Sequence, residues 1–195
     1  MGGTFNPPHL GHLVCAQEAY VELDLDRVML IPARIPPHKP VEEEPGPEHR
    51  LELCRLAVRG DGRFTVSDIE MVREGPSYTV DTLEELTSHD PDNELFLIVG
   101  GDVAAGLPQW HRPQRVLALA WLAIAQRRGT TRASIEAALK QLQGQDRARF
   151  FRMPPIGVSS TLVRQRVGAR QPIRYFVPDP VIDYIDQHRL YAASA

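Results

Sequence analysis

Five short strand-like runs alternate along this chain with helical stretches: RVMLIP (27–32), FTVSDI (64–69), ELFLIV (94–99), WLAIA (121–125) and ARFFRM (148–153). This alternation is the chain's strongest constraint. A strand that leads through a helix to another strand of the same sheet returns parallel to the first, and the crossover helices cover both faces. The spacing predicts helices over 10–23, 48–58, 79–88, 113–119, 134–143, 159–167 and 180–188, with a further short one after Gly100 and Gly101. On helix 10–23 the expected inward stripe is Leu13, Ala16, Tyr20 and Leu23; on 48–58 it is Leu51, Cys54 and Val58. The expected fold is α/β: a Rossmann-like, doubly wound parallel sheet in three layers with a small C-terminal helical part. The 195 residues suit a single domain, 1–195, in which 157–195 is the helical C-terminal segment. Ligands of such sheets bind beyond the carboxyl ends of the strands. Chemistry is therefore expected near 2–12, 32–39, 100–102 and 126–129.

Composition excludes several alternatives. The net charge is −3 and no segment forms a basic tail, so bulk attraction to nucleic acid or anionic lipid is not expected. The two cysteines, Cys15 and Cys54, belong to no CxxC pair and sit in apolar helical patterns, as small buried residues of a reducing compartment do. No His/Cys set has metal-ligand spacing. No run approaches the length of a membrane span and no signal-peptide core is visible, so the expectation is a cytoplasmic protein. Residues 33–47 hold five prolines and read as a mobile irregular loop, its acidic run at 42–44 solvated.

The first twelve residues concentrate unusual chemistry: Gly2-Gly3-Thr4-Phe5-Asn6-Pro7-Pro8-His9-Leu10-Gly11-His12. Glycines at a strand end let backbone N–H groups approach a ligand. The helix that begins near His9 or Leu10 presents unsatisfied N–H groups and partial positive charge, which suits phosphate. His9 and His12, three apart, share a face of the first turn, and Gly11 leaves room there for a flat group such as a base. Neutral imidazoles donate hydrogen bonds to phosphate oxygens without the permanent charge of lysine. A glycine turn with two incidental histidines is the bland alternative; the GGTFNPP lead-in weighs against it.

A second cluster is Val158-Ser159-Ser160-Thr161-Leu162-Val163-Arg164. One hydroxyl caps a helix start; three exceed that need. Arg164 lies one turn beyond Ser160, so hydroxyls, amide groups and a guanidinium gather at one helix end, a site for a polyphosphate.

GGTFNPPHLGH resembles the signature of the HxGH nucleotidyltransferases, and VSSTLVR resembles the [IV]SSTxxR motif by which they hold the phosphates of ATP. Further stretches narrow the resemblance to the bacterial nicotinate-nucleotide adenylyltransferase family: PPHK at 36–39, PSYTVDTL at 76–83, Gly100-Gly101-Asp102, Trp110, QRRG at 126–129, where Arg128 stands in place of the family's proline, and the closing segment from Pro172 through Tyr191. The match spans nearly the whole chain. It implies ATP binding by Gly2, Gly3, Thr4, Phe5, Gly11, Gly100, Asp102, Ser159, Ser160 and Thr161. It implies mononucleotide binding by Asn6, Lys39, Tyr78, Thr79, Trp110 and Arg127, with Trp110 stacked on the pyridine ring and Thr79 at the nicotinate carboxylate. His9, His12 and Arg164 are the expected catalytic residues. Mg²⁺ is expected to arrive with ATP, and no protein metal site is expected.

The implied reaction is adenylyl transfer from ATP to nicotinic acid mononucleotide in NAD biosynthesis. Partners are these two nucleotides, with homo-oligomerisation left open; neither nucleic acid nor membrane is expected. The rival readings are an enzyme that prefers nicotinamide mononucleotide and a nucleotide-binding protein without catalysis. In this superfamily a hydrophobic strand runs directly into the GGTF loop, and here Met1 stands in its place. The first strand is therefore expected to be missing: either the start lies upstream and Met1 ends that strand, or the chain is truncated.

Overall fold

The computed structural model describes residues 1–37, 45–126 and 130–192. Six strands form, β1 (Gly2–Gly3), β2 (Val28–Pro32), β3 (Phe64–Val66), β4 (Leu95–Gly100), β5 (Ala120–Gln126) and β6 (Ala148–Arg152). Every pairing is parallel, in the orders β1-β2-β3 and β4-β5-β6. Between them run α1 (Leu10–Glu22), α2 (Pro47–Ala57), α3 (Thr79–His89), α4 (Gly101–Ala105), α5 (Pro113–Leu119) and α6 (Arg132–Leu139), followed after β6 by α7 (Ser160–Gly168) and α8 (Asp179–His188). The expected strand–helix alternation is thus present, with ends shifted by a few residues.

One feature departs from the expectation of a single sheet. Of the first strand two residues form, β1, with Gly2 opposite Ile31 and Gly3 opposite Pro32. β1 also lies beside β4, yet the two three-stranded ladders do not join there. Residues 38–44, most of the Pro-rich loop, lie outside the described residues.

Packing explains the inward faces. β4 and β5 bury apolar residues on both sides, as a sheet covered by helices must. On one side α1 presents Cys15, Ala16 and Ala19 to Val28, Ile98, Ala123, Ala125 and Phe151. The expected stripe is displaced: Leu13 and Tyr20 are only half-buried. The sheet here is surfaced by alanines, so the smallest residues of α1 face it and the backbones approach closely. On the other side Val80, Leu83, Leu107, Val116, Leu117, Ile135 and Leu139 pack on Leu97, Leu122 and Ile124. A third cluster joins α2 to the C-terminal helices through Leu53, Leu56, Val163, Ile173, Val181 and Ile185. It fixes α7 against the half of the molecule that carries the opening loop.

Candidate functional site

Phe5 shapes the opening loop from beneath. Its backbone takes the left-handed conformation, φ +50°, and its ring is 2% exposed, packed with Leu30 and Cys54. The Phe5 ring is thus a packing element beneath the loop, and any part Phe5 takes toward ATP falls to its backbone. Gly3 is required above the ring, because a Cβ would stand 3.1 Å from it.

His9 caps α1. Its Nδ1 accepts from the Gly11 amide at 3.1 Å, while the His9 amide donates to Nδ1 of His12 at 3.2 Å. The two rings lie 3.8 Å apart between centroids, and Phe5 meets His12 edge-on at 5.0 Å. Both Nδ1 atoms accept, so each neutral ring carries its proton on Nε2, and Nε2–H is the donor it offers. A Cβ at Gly11 would lie 3.0 and 3.1 Å from atoms of the His9 ring and 3.5 Å from the Val158 carbonyl. The flat group over Gly11 is the imidazole of His9, held there by the capping bond.

The second helix start meets the first through one loop. Ser160 Oγ donates to the Pro7 carbonyl at 2.8 Å, and Arg164 donates to the Asn6 carbonyl at 2.9 Å. The Tyr191 hydroxyl donates to Oδ1 of Asn6 at 2.7 Å, and the Leu10 amide donates to the Phe176 carbonyl at 2.8 Å. Asn6 is buried, 4% exposed. Its side-chain oxygen anchors the C-terminal segment through Tyr191. Ser159 is the N-cap of α7 and accepts from the Leu162 amide at 3.1 Å. Of the three successive hydroxyls, the first caps, the second ties α7 to the loop, and Thr161 is exposed.

Of the residues expected on the mononucleotide side, Tyr78 and Thr79 stand at the start of α3 and Trp110 packs on the same cluster as Tyr78, while Asn6 lies in the opening loop. Tyr78 is the N-cap and Thr79 the first helical residue; no side chain bonds the cap, so the amides of the first turn face outward. Tyr78 and Trp110 pack against the same core cluster, and the His111 ring lies over Tyr78 at 4.5 Å. Gly100 ends β4 and caps α4, with Asp102 exposed in the next turn. Gly2 lies in β1 and Thr4 follows it into the loop. Lys39 and Arg127 lie outside the described residues. Among the described residues, no group of three His, Cys, Asp or Glu side chains is placed to hold a metal ion, and no helix is long and apolar enough to cross a membrane.

Residues 1–166 match the family model described as cytidylyltransferase-like. The chain is 41% identical over 192 residues to the "Probable nicotinate-nucleotide adenylyltransferase" of Geobacillus thermodenitrificans, covering 98% of this chain and 84% of that one. It is 39% identical over 193 residues to the protein of the same description from Lachnoclostridium phytofermentans, covering 98% and 96%. The chain belongs to the nicotinate-nucleotide adenylyltransferase family. Its fold is shared by the Plasmodium falciparum nicotinic acid mononucleotide adenylyltransferase, solved with APC and with NaAD. Both comparisons give a TM-score of 0.78 and cover 97% of this chain and 94% of the other, at 16% and 18% identity.

Within this family member, sequence reasoning missed three polar residues behind the site. Arg50 is fully buried and donates to the carbonyls of Thr4 at 3.0 Å, of Ala33, and of Arg34 at 3.0 Å. Ser77 Oγ accepts from the amides of Arg34 at 3.0 Å and Ile35 at 3.3 Å. Glu70, 7% exposed, accepts from Thr82 at 2.7 Å. Burial pushes the Glu70 carboxyl above its ordinary range, against the hydrogen bonds of Thr82 and Ser77 and the charge of Arg73, which pull it down. A signal for Arg50 existed: it stands three and four residues before Leu53 and Cys54, on the inward face of α2, where a charge is out of pattern.

Proposed function

We propose that this chain catalyses transfer of the adenylyl group of ATP to nicotinic acid mononucleotide, giving nicotinic acid adenine dinucleotide and pyrophosphate, as a cytoplasmic step of NAD biosynthesis. One observation carries the reading. Ser160 and Arg164 at the start of α7 bond to the Asn6–Pro7 turn, which leads directly into the histidine-capped start of α1, so the two helix starts stand side by side. The relatives' printed activity and the P. falciparum complex with NaAD support the same substrates.

An oxygen of the mononucleotide's 5′-phosphate attacks the α-phosphorus of ATP. The new P–O bond forms as the bond to the bridging oxygen breaks, and pyrophosphate leaves with that electron pair. The nucleophile is already an anion, so the reaction needs alignment more than a base. Holding the two reactants in line removes up to about 7–11 kcal/mol of the barrier, and fixed donors aimed at the departing oxygen remove more. His12 Nε2–H serves the α-phosphate and His9 the phosphates beside it. Arg164, Thr161 and the amides of Ser160 and Thr161 hold the end that leaves, because the Ser160 proton is committed to Pro7. Mg²⁺ enters as part of the ATP substrate, held by phosphate oxygens and water. On the other side Trp110 stacks on the pyridine ring, the α3 start receives the carboxylate through Tyr78 and Thr79, and Lys39 and Arg127 complete the set.

The test is pyrophosphate release with ATP and either the acid or the amide mononucleotide, run side by side. The acid is expected to turn over faster. Faster turnover of the amide would replace the proposed substrate, and no release with either would leave a nucleotide-binding protein without catalysis.

A further inference from the structure

The site residues fall into two groups on different loops, and the backbone at Ala33–Ile35 lies between them. On one side the buried guanidinium of Arg50 ties the carbonyls of Ala33 and Arg34 to that of Thr4, in the opening loop. On the other side Ser77 accepts from the amides of Arg34 and Ile35, and its own amide donates to the Ile35 carbonyl at 2.9 Å. Ser77 directly precedes Tyr78 and Thr79. The Arg34 side chain adds a bond to the Arg73 carbonyl at 2.9 Å, and Arg73 in turn bonds Thr82 of α3 at 2.7 Å. A continuous hydrogen-bonded brace, with Arg50 and Ser77 buried at its two ends, thus runs from the phosphate loop to the start of α3.

We infer that Arg50 is a positioning residue for adenylyl transfer, fixing the loop that holds ATP at a set distance from the segment that holds the mononucleotide. The inference rests on the reaction proposed above. Burying a guanidinium costs free energy that a methionine or leucine of similar volume would not, so packing alone does not account for it. Its planar fork supplies several donors in fixed directions, which suits three carbonyls from two loops; a lysine ammonium cannot span them in that geometry. Each loop on its own still offers its nucleotide the same side chains. What the brace sets is the line between the attacking oxygen and the α-phosphorus, which matters in the transition state and not in either binding step.

The test compares Arg50→Lys and Ser77→Ala with Leu142→Ala, a buried apolar change in the connection between α6 and β6, outside the site. Steady-state kinetics are read for both substrates together with thermal unfolding. Arg50→Lys is expected to lower kcat by about tenfold or more while both KM values move by less than about threefold. Ser77→Ala, which frees the same backbone from the other side, is expected to show the same pattern more weakly. The double variant is expected to lose less than the product of the two, since both act on one segment. Leu142→Ala is expected to lower the melting temperature at least as much with kcat within about twofold. If Arg50→Lys fails to fold, Ser77→Ala carries the comparison. The inference is overturned if the tested variant keeps wild-type kcat, or loses activity only in step with folded protein as Leu142→Ala does. A wild-type protein that makes no product would instead sink the proposed reaction, and the positioning role with it.

Discussion

Gly11→Ala separates the fit of the histidine pair from the stability of the helix that carries it. The added methyl would stand 3.0 Å from Cε1 and 3.1 Å from Nδ1 of His9, and 3.5 Å from the Val158 carbonyl. The first two contacts are tighter than carbon tolerates, so the imidazole must move by a few tenths of an ångström. The ring is the movable party, because Val158 belongs to the backbone leading into α7. Moving it weakens the bond from the Gly11 amide to His9, a helix cap worth about 1 kcal/mol. Against that, alanine in a helix is favoured over glycine by roughly 0.8–1 kcal/mol. The two terms nearly cancel, so stability should change by less than about 1 kcal/mol, a few degrees in melting temperature. Activity should not be spared. His9 stacks on His12 at 3.8 Å and also receives its cap, so both donors shift together. Misplacing catalytic groups by up to about 1 Å costs as much as about 100-fold. The expected result is kcat lowered by about 10- to 100-fold with near-native unfolding, read by pyrophosphate release and a thermal melt. Native kcat would show that the ring positions do not matter to the reaction; a collapse of stability would show that the cap outweighs propensity here.

Other perturbations test other parts. His12→Ala should cut turnover by orders of magnitude with little effect on fold, and a variant within a few-fold of wild type would remove His12 from the mechanism. Trp110→Ala should raise KM for the mononucleotide about tenfold or more, as the loss of one ring–base stack of about 1–3 kcal/mol implies, while KM for ATP holds; equal change in both would place Trp110 elsewhere. Glu70 holds its proton more tightly folded than unfolded, so its contribution favours the native state at low pH and is lost as pH rises above its ordinary value of 4.5. Glu70→Gln should therefore gain stability relative to wild type between about pH 5 and pH 7, read by denaturant unfolding; an unchanged or opposite difference refutes the assignment. Cys15 and Cys54 are 1% and 0% exposed, and burial pushes the Cys54 thiol well up, so alkylation of the native protein should be slow and should track unfolding.

What the sequence made legible divides along a physical line. Strand runs such as ELFLIV and WLAIA stand out because strands covered on both faces must be apolar throughout, and β4 and β5 follow them closely. That the opening loop and the start of α7 come together was legible for a different reason: glycines, a spaced histidine pair and serial hydroxyls stood out at both, and the fold joins them through Ser160 and Arg164. Contact was not legible. Which apolar residues of α1 face the sheet depended on alanines in β5 more than a hundred residues away, so Leu13 read as inward and Ala19 went unnoticed, while Cys15 is buried as its pattern implied. Phe5 and Asn6 read as ligands because they sit inside the motif; that the Phe5 ring packs on Leu30 and Cys54 and the Asn6 amide oxygen accepts from Tyr191 was not legible. A motif records which residues a site needs without recording which of them touch the substrate.

The same distinction bears on how the cleft holds so much negative charge. Serial hydroxyls suggest a polyphosphate gripped by side chains, yet Ser159 and Ser160 spend their hydroxyls on the cap and on Pro7. The donors that remain at the start of α7 are chiefly backbone amides, fixed by the helix itself, together with Arg164, whose bond to the Asn6 carbonyl holds it against the opening loop. On α1 the imidazoles are likewise locked, each by an Nδ1 that accepts from the backbone. These donors of α1 and α7 are thus oriented before substrate arrives. Preorganised dipoles cost no reorganisation at the moment of transfer. An in-line displacement between two anions needs that more than it needs net positive charge, which is why a chain of net charge −3 can be built for it.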